Sequence, residues 1–186
     1  MKKIACLFPG IGYTCDKPLL YYSAKLLKGM DWEVIPVAYS GFPSGVKGNP
    51  EKMRQAAETA LDQAEDILKE INWTEYDDIL FIGKSVGTVV SSIYASRHQL
   101  TCRHILFTPV EETFPFAGSN AIVFHGTADP WARTKVIEEA CRQKEIPIYE
   151  TEKANHSLET GDVDQDIKIM RKTMKIVKEY AESHTN

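Results

Sequence analysis

Ser85 is the residue from which a chemical reading can start. It lies in Gly83-Lys84-Ser85-Val86-Gly87, a G-x-S-x-G sequence. A serine hydroxyl is a weak nucleophile at neutral pH. It needs a base to take its proton and an acid to hold that base in one tautomer. Two later residues are of the required types. Asp129 lies in His125-Gly126-Thr127-Ala128-Asp129-Pro130-Trp131, and His156 lies in Ala154-Asn155-His156-Ser157-Leu158-Glu159. Together they would support acyl transfer through an ester formed on Ser85.

The elements that must position these residues can be read around them. Residues 79–82 form a continuous apolar run, as expected of a strand covered on both faces. After the G-x-S-x-G turn, Val86, Val89, Val90, Ile93 and Tyr94 recur at helical spacing. A serine at such a strand-to-helix turn projects its hydroxyl above the sheet, and the flanking glycines avoid collision with strand and helix. Asp129 directly follows a fifth strand, 121–124. His156 follows a sixth, 147–150. In open parallel sheets functional residues gather beyond the carboxyl ends of strands.

The remaining chain alternates in the same way. A first apolar strand, 3–8, ends at Pro9-Gly10-Ile11-Gly12-Tyr13-Thr14. Asp16 is expected to cap the next helix, with Pro18 in its first turn, a buried face of Leu19, Leu20, Ser23, Ala24, Leu26 and Leu27, and Gly29 as its stop. A second strand is expected over 32–39, followed by a loop over 40–45 that contains Pro43. Asn49-Pro50-Glu51 opens a helix whose apolar residues step by three or four to Ile71. A fourth strand is expected over 103–108 and a helix over about 132–144. Asp162 should cap a last helix with a face of Val163, Ile167, Met170, Met174 and Val177. Strands alternating with helices predict an α/β fold with a mainly parallel sheet of about six strands, covered on both faces. Without a repeat, linker or low-complexity tract, one domain over 1–186 is the simplest division.

Composition sets outer limits. A chain of 186 residues can bury a sizeable core, and 43% hydrophobic with 26% charged residues is ordinary for a soluble globule. A net charge of −4 without a basic run argues against nucleic acid as the main partner. No apolar run approaches membrane-spanning length, and the apolar stretch after Met1-Lys2-Lys3 is short for a secretory signal. Cys6, Cys15, Cys102 and Cys141 form no C-x-x-C pair, which suits free thiols and a cytoplasmic setting. No H-E-x-x-H or cofactor loop is present, so neither a metal nor a cofactor is expected.

Other assignments compete. G-x-S-x-G can be only a tight strand–helix connection. Gly83-Lys84-Ser85 also matches the end of a phosphate-binding loop, but the required first glycine would be position 78, which is Asp78, and the intervening residues form the strand. Glu111, after the fourth strand, is a fallback acid. His125 is the nearest rival base, placed at a strand end where a packed role is expected. His98, His104 and His184 lie outside the strand-end cluster, and Cys15 lacks a local base.

With these motifs in hand, the chain resembles a compact member of the α/β-hydrolase superfamily, similar to the small lid-less serine esterases and dienelactone-hydrolase-like proteins. The resemblance rests on Gly83-Lys84-Ser85-Val86-Gly87, His125-Gly126-Thr127-Ala128-Asp129 and Asn155-His156-Ser157. It implies a three-layer fold without a cap domain, with the second strand at one edge, then the first, the elbow strand and the last three in sequence. It also implies Ser85 as nucleophile, His156 as general base and then acid, and Asp129 as its orienting carboxylate. The implied oxyanion hole combines the Val86 N–H with one from the loop after the first strand, where Ile11 is the first choice and Gly12 the second.

The expected partner is a small-molecule acyl substrate, a carboxylic ester or thioester, with no nucleic acid or membrane. Acyl transfer to an acceptor other than water and a non-catalytic binding role on the same fold are the alternatives. Tyr13, Phe42, Phe114 and Trp131 fall on loops at the catalytic end and could line an apolar pocket, with a core position the alternative for one or two of them and expected for Phe114 or Phe116. Between Pro109 and Ala121 there is no room for a helical cap.

Overall fold

A computed structural model describes residues 1–42, 44–46 and 49–183. Pro43 and His184 therefore lie outside the described residues. Six strands form one sheet: β1 (Lys3–Phe8), β2 (Glu33–Pro36), β3 (Asp78–Lys84), β4 (Arg103–Phe107), β5 (Ala121–Gly126) and β6 (Ile148–Thr151). Their order is β2-β1-β3-β4-β5-β6 and every pairing is parallel. Among the described residues there are five α-helices, four on connections between strands and the last after β6: α1 (Pro18–Lys28), α2 (Pro50–Leu68), α3 (Val86–Arg97), α4 (Thr134–Gln143) and α5 (Val163–Glu182).

Alternation along each central strand divides the core. Ile4, Cys6, Phe8, Ile79 and Phe81 face α2 and α3. Ala5, Leu7, Leu80, Ile82, Ile105 and Phe107 face α1 and α5. Leu106 and Val123 pack beneath α4 with Ile137 and Cys141. Because helices cover both sides, the central strands read as unbroken apolar runs. At the end of the sheet away from Ser85, the buried Arg103 guanidinium pairs with the Asp78 carboxylate and donates to the Tyr180 carbonyl near the end of α5. That clasp ties α5 to the strands it covers.

Several local expectations change. The cap of α1 is Lys17, not Asp16, and no side chain bonds the first turn from that position. Proline fits the first helical position, so the preceding residue must be the cap. The Leu19 N–H is instead donated to the Tyr13 hydroxyl at 3.1 Å. The edge strand β2 is shorter than 32–39; Trp32 and Tyr39 are buried beyond its ladder. On α5, Val163 and Ile167 are 71% and 63% exposed, and its packing begins with Ile169 and Met170. One turn before Met170, Asp166 accepts from the Thr160 backbone and hydroxyl at 2.6 and 2.8 Å, so the start of α5 anchors its loop and buries no apolar face there.

Candidate active site

β3 delivers Ser85 and α3 leaves from it. Ser85 has φ 55° and ψ −124°, a conformation that L-residues avoid. Such a residue costs about 1–3 kcal/mol and persists only when its surroundings over-determine it. Here the Ser85 N–H donates to the Phe107 carbonyl at 3.0 Å. Its carbonyl accepts from the Thr88 N–H at 2.8 Å and the Thr88 hydroxyl at 2.6 Å. The Thr88 hydroxyl also meets that of Thr113 at 2.6 Å. Gly83 is required for the turn to close, since a Cβ there would lie 2.7 Å from the Thr88 Cα.

The structure brings Ser85, His156 and Asp129 together across 71 residues of chain. His156 Nε2 is 2.7 Å from Ser85 Oγ, and His156 Nδ1 is 2.6 Å from Asp129 Oδ2. The Asp129 side chain is wholly buried, and its other oxygen accepts the Trp131 N–H at 2.8 Å. The loop that carries His156 is fixed by the Thr108 hydroxyl donating to the His156 carbonyl at 2.9 Å, and by Asn155 Oδ1 accepting the Ser157 N–H at 2.7 Å. Burial lowers the His156 pKa; the bond to Asp129 opposes this, while the charges of Lys84 and His125 add to it. A neutral ring that donates from Nδ1 to the carboxylate leaves Nε2 free to accept the serine proton. The row can therefore deprotonate an attacking serine and return the proton to a leaving group.

The loop after β1 stands against this row. Gly10 and Tyr13 exchange both backbone hydrogen bonds, at 3.0 and 3.2 Å, which places Ile11 and Gly12 at the tip of a tight turn. A Cβ on Gly10 would lie 3.2 Å from the Ser85 Cβ. Among the described residues, no acceptor meets the N–H of Ile11, Gly12 or Val86.

The four aromatic residues divide. Trp131 is 39% exposed, turns its ring towards His156 with centroids 6.4 Å apart, and borders an open hollow of about 430 Å³ with Glu111, Thr127, Arg133 and Thr134. Tyr13 is half-buried, with its ring 4.8 Å from the Lys84 ammonium. Phe42 is half-buried and packs edge-on to Tyr39 at 5.8 Å. Phe114 is buried with Leu106 and Val123, so it belongs to the core and not to a pocket. The one-turn helix Glu111–Thr113 before it turns the ring inward.

The rival assignments have other partners. Glu111 is held by two bonds of 2.8 Å from Arg133, which lower its pKa. His125 is buried at the end of β5, with Nε2 2.9 Å from the Thr134 hydroxyl and its pKa lowered by burial. Sequence reasoning passed over the Thr88–Thr113 pair and the Thr108 bond, because nothing in their spacing marks hydroxyls that meet only in the folded chain. Among the described residues, no group of three or more His, Cys, Asp or Glu could hold a metal ion, and no helix is long and apolar enough to cross a membrane.

No protein-family model and no curated protein sequence matches the chain. Solved structures do. An esterase from Pyrococcus furiosus is 12% identical with a TM-score of 0.69, covering 97% of this chain and 82% of its own. An alpha-beta serine hydrolase homologue from Coxiella burnetii is 14% identical with a TM-score of 0.67, covering 96% and 84%. A serine hydrolase without a lid from Xanthomonas campestris is 14% identical with a TM-score of 0.62, covering 98% and 84%. At these identities the likeness is one of fold. This chain likewise has only a one-turn helix between β4 and β5.

Proposed function

We propose that this chain, whose fold is that of the α/β-hydrolase superfamily, is a serine hydrolase of small carboxylic esters or thioesters. The observation that carries the proposal is the hydrogen-bonded row from Ser85 Oγ through His156 to the buried Asp129. Ser85 Oγ attacks the substrate carbonyl carbon while His156 Nε2 takes its proton. The N–H groups of Val86 and Ile11, with Gly12 as second choice for the latter, receive the negative charge that develops on the carbonyl oxygen. The imidazolium, steadied by Asp129, gives its proton to the departing alcohol or thiol as the carbon–heteroatom bond breaks. Water then attacks the acyl group on Ser85, losing a proton to His156, and Ser85 leaves with that proton restored.

The same acyl-enzyme has a second outcome, transfer of the acyl group to an acceptor other than water. The open site admits water, which favours hydrolysis, and an added alcohol or amine would have to compete with it. Product analysis with added alcohols separates the two. Four free cysteines support a cytoplasmic setting.

The test is labelling with a fluorophosphonate probe and mapping of the modified residue. Ser85 should carry the label, and Ser85→Ala should lose both label and p-nitrophenyl acetate hydrolysis while keeping its circular dichroism. Ser85→Gly should lose the same activities yet gain about 1 kcal/mol of stability, because glycine accepts the strained conformation. Labelling that persists in Ser85→Ala would defeat the assignment.

A further inference from the structure

Alternation along β3 sends Leu80, Ile82 and Lys84 to the same face of the sheet, towards α1 and α5. The first two are core residues. Lys84 continues the row as a cation, and it is 1% exposed. An apolar side chain would fill that position without the desolvation that burying an ammonium ion entails. The ammonium lies 4.8 Å from the centre of the Tyr13 ring, within the range of a cation–π contact.

Tyr13 is more than a surface for that cation. Its backbone closes the turn that presents Ile11 and Gly12, and its hydroxyl accepts the Leu19 N–H at the start of α1. Lys84 and Ser85 are adjacent, so the Lys84 contact joins the nucleophile's strand to the loop on the other side of the reacting carbonyl. Hydrogen-bond donors for a developing oxyanion act only when held at the distance the transition state requires.

We propose that Lys84 is a positioning residue for acyl transfer, holding the Gly10–Tyr13 loop against Ser85 through the Tyr13 ring. This rests on the serine-hydrolase reading above. Its action on the loop is mechanical and its action on His156 is electrostatic, and the two can be measured apart. The charged groups that act on His156 are Asp129, bonded at Nδ1, and Lys84 and His125 through their charge, with Glu159 acting on Tyr13. Positive charge on Lys84 disfavours a second positive charge on the imidazole. Removing it raises the pH at which His156 loses its proton.

The experiment compares Lys84→Met, Lys84→Arg and Tyr13→Leu with the wild type on p-nitrophenyl acetate over a range of pH. Lys84→Met should lower kcat about tenfold with KM nearly unchanged, the pattern of an interaction made only in the transition state. It should also move the acid limb of kcat/KM to higher pH. Lys84→Arg, which keeps charge and ring contact, should restore both. Tyr13→Leu should lower kcat without moving the acid limb. An acid limb and kcat unchanged in Lys84→Met would overturn the proposal. If Lys84→Met does not fold, an unchanged kcat in Tyr13→Leu would overturn it equally. Nuclear magnetic resonance titration of His156 in Ser85→Ala, with and without Lys84→Met, reads the charge effect without turnover. An inactive, unlabelled wild type would defeat the serine-hydrolase reading, while an unshifted His156 titration would defeat the electrostatic action of Lys84 and leave its hold on the loop to be judged by kcat.

Discussion

A Cβ on Gly87 would lie 1.9 Å from the carbonyl oxygen of Phe8. The first turn of α3 is thus seated directly on the end of β1, the strand that leads into the Gly10–Tyr13 loop. Two backbones meet there, so no rotamer change can relieve an added methyl. Gly87→Ala should destabilise the fold by about 3 kcal/mol or more, the upper range for overpacking. Gly118 has no neighbour within 4 Å of an added Cβ, and Gly118→Ala should be close to neutral. Urea unfolding of the two variants checks the contrast.

Asp129→Asn keeps the shape of its loop but offers an amide to His156 Nδ1 and mis-sets the tautomer. The expected fall in kcat is up to about 10⁴-fold. Glu111→Gln should leave kcat close to wild type, because Glu111 is engaged by Arg133 and not by His156. Steady-state kinetics of the pair decides between the two acids; a damaging Glu111→Gln beside a silent Asp129→Asn would reverse the assignment.

His104 is buried against Phe81, and burial pushes its pKa down to about 4, a bond to the Ser91 backbone opposing in part. In the unfolded chain the same ring titrates near about 6.5. Between those values the unfolded state binds a proton that the folded state refuses. The stability is fully present above the unfolded value and is lost as pH falls towards the folded one, by about 2 kcal/mol at a pH of about 5. His104→Phe should remove most of that acid-dependent loss. His125 and His156 act with the same sign, so the comparison of urea midpoints near neutrality and in mild acid must be made between variant and wild type.

With only a one-turn helix between β4 and β5, little surface can enclose a long acyl chain. p-Nitrophenyl acetate and butyrate should show higher kcat/KM than the palmitate, measured below micelle concentrations. Each buried methylene contributes about 0.8 kcal/mol only while a wall remains to bury it. Trp131, beside His156, is that wall in this reading. Trp131→Ala should flatten the preference among short esters more than it alters the acetate rate. A profile that climbs to long chains would contradict the prediction.

The strands were legible because strands buried on both faces leave continuous apolar runs, and the elbow sequence marks the helix after β3; the strand order came instead from the resemblance to the α/β-hydrolase superfamily. The positions of Asp129 and His156 were legible from their place just beyond β5 and β6. Side-chain destinations were less so. A core position is expected for Phe114 or Phe116 without a choice between them; one turn of helix sends Phe114 under α4 and leaves Phe116 exposed. Val163 and Ile167 continued an apolar period on paper, yet both are exposed at a turn where Asp166 bonds Thr160 at the surface. Periodicity records which residues can share a face; it does not record where the neighbouring helix begins. Lys84 did stand at the end of a readable row, after Leu80 and Ile82, and alternation alone points it inward.

The bond between His156 and Ser85 spans 71 residues of chain, and that between His156 and Asp129 spans 27. Closing loops of that length is entropically uphill until β5 and β6 have docked beside β4. During folding, then, Ser85 can be exposed on its strand while still chemically inert. On the proposed function, activation of Ser85 needs His156 and Asp129 beside it, so a chain without the C-terminal half of the sheet in place would carry a serine no more nucleophilic than any other.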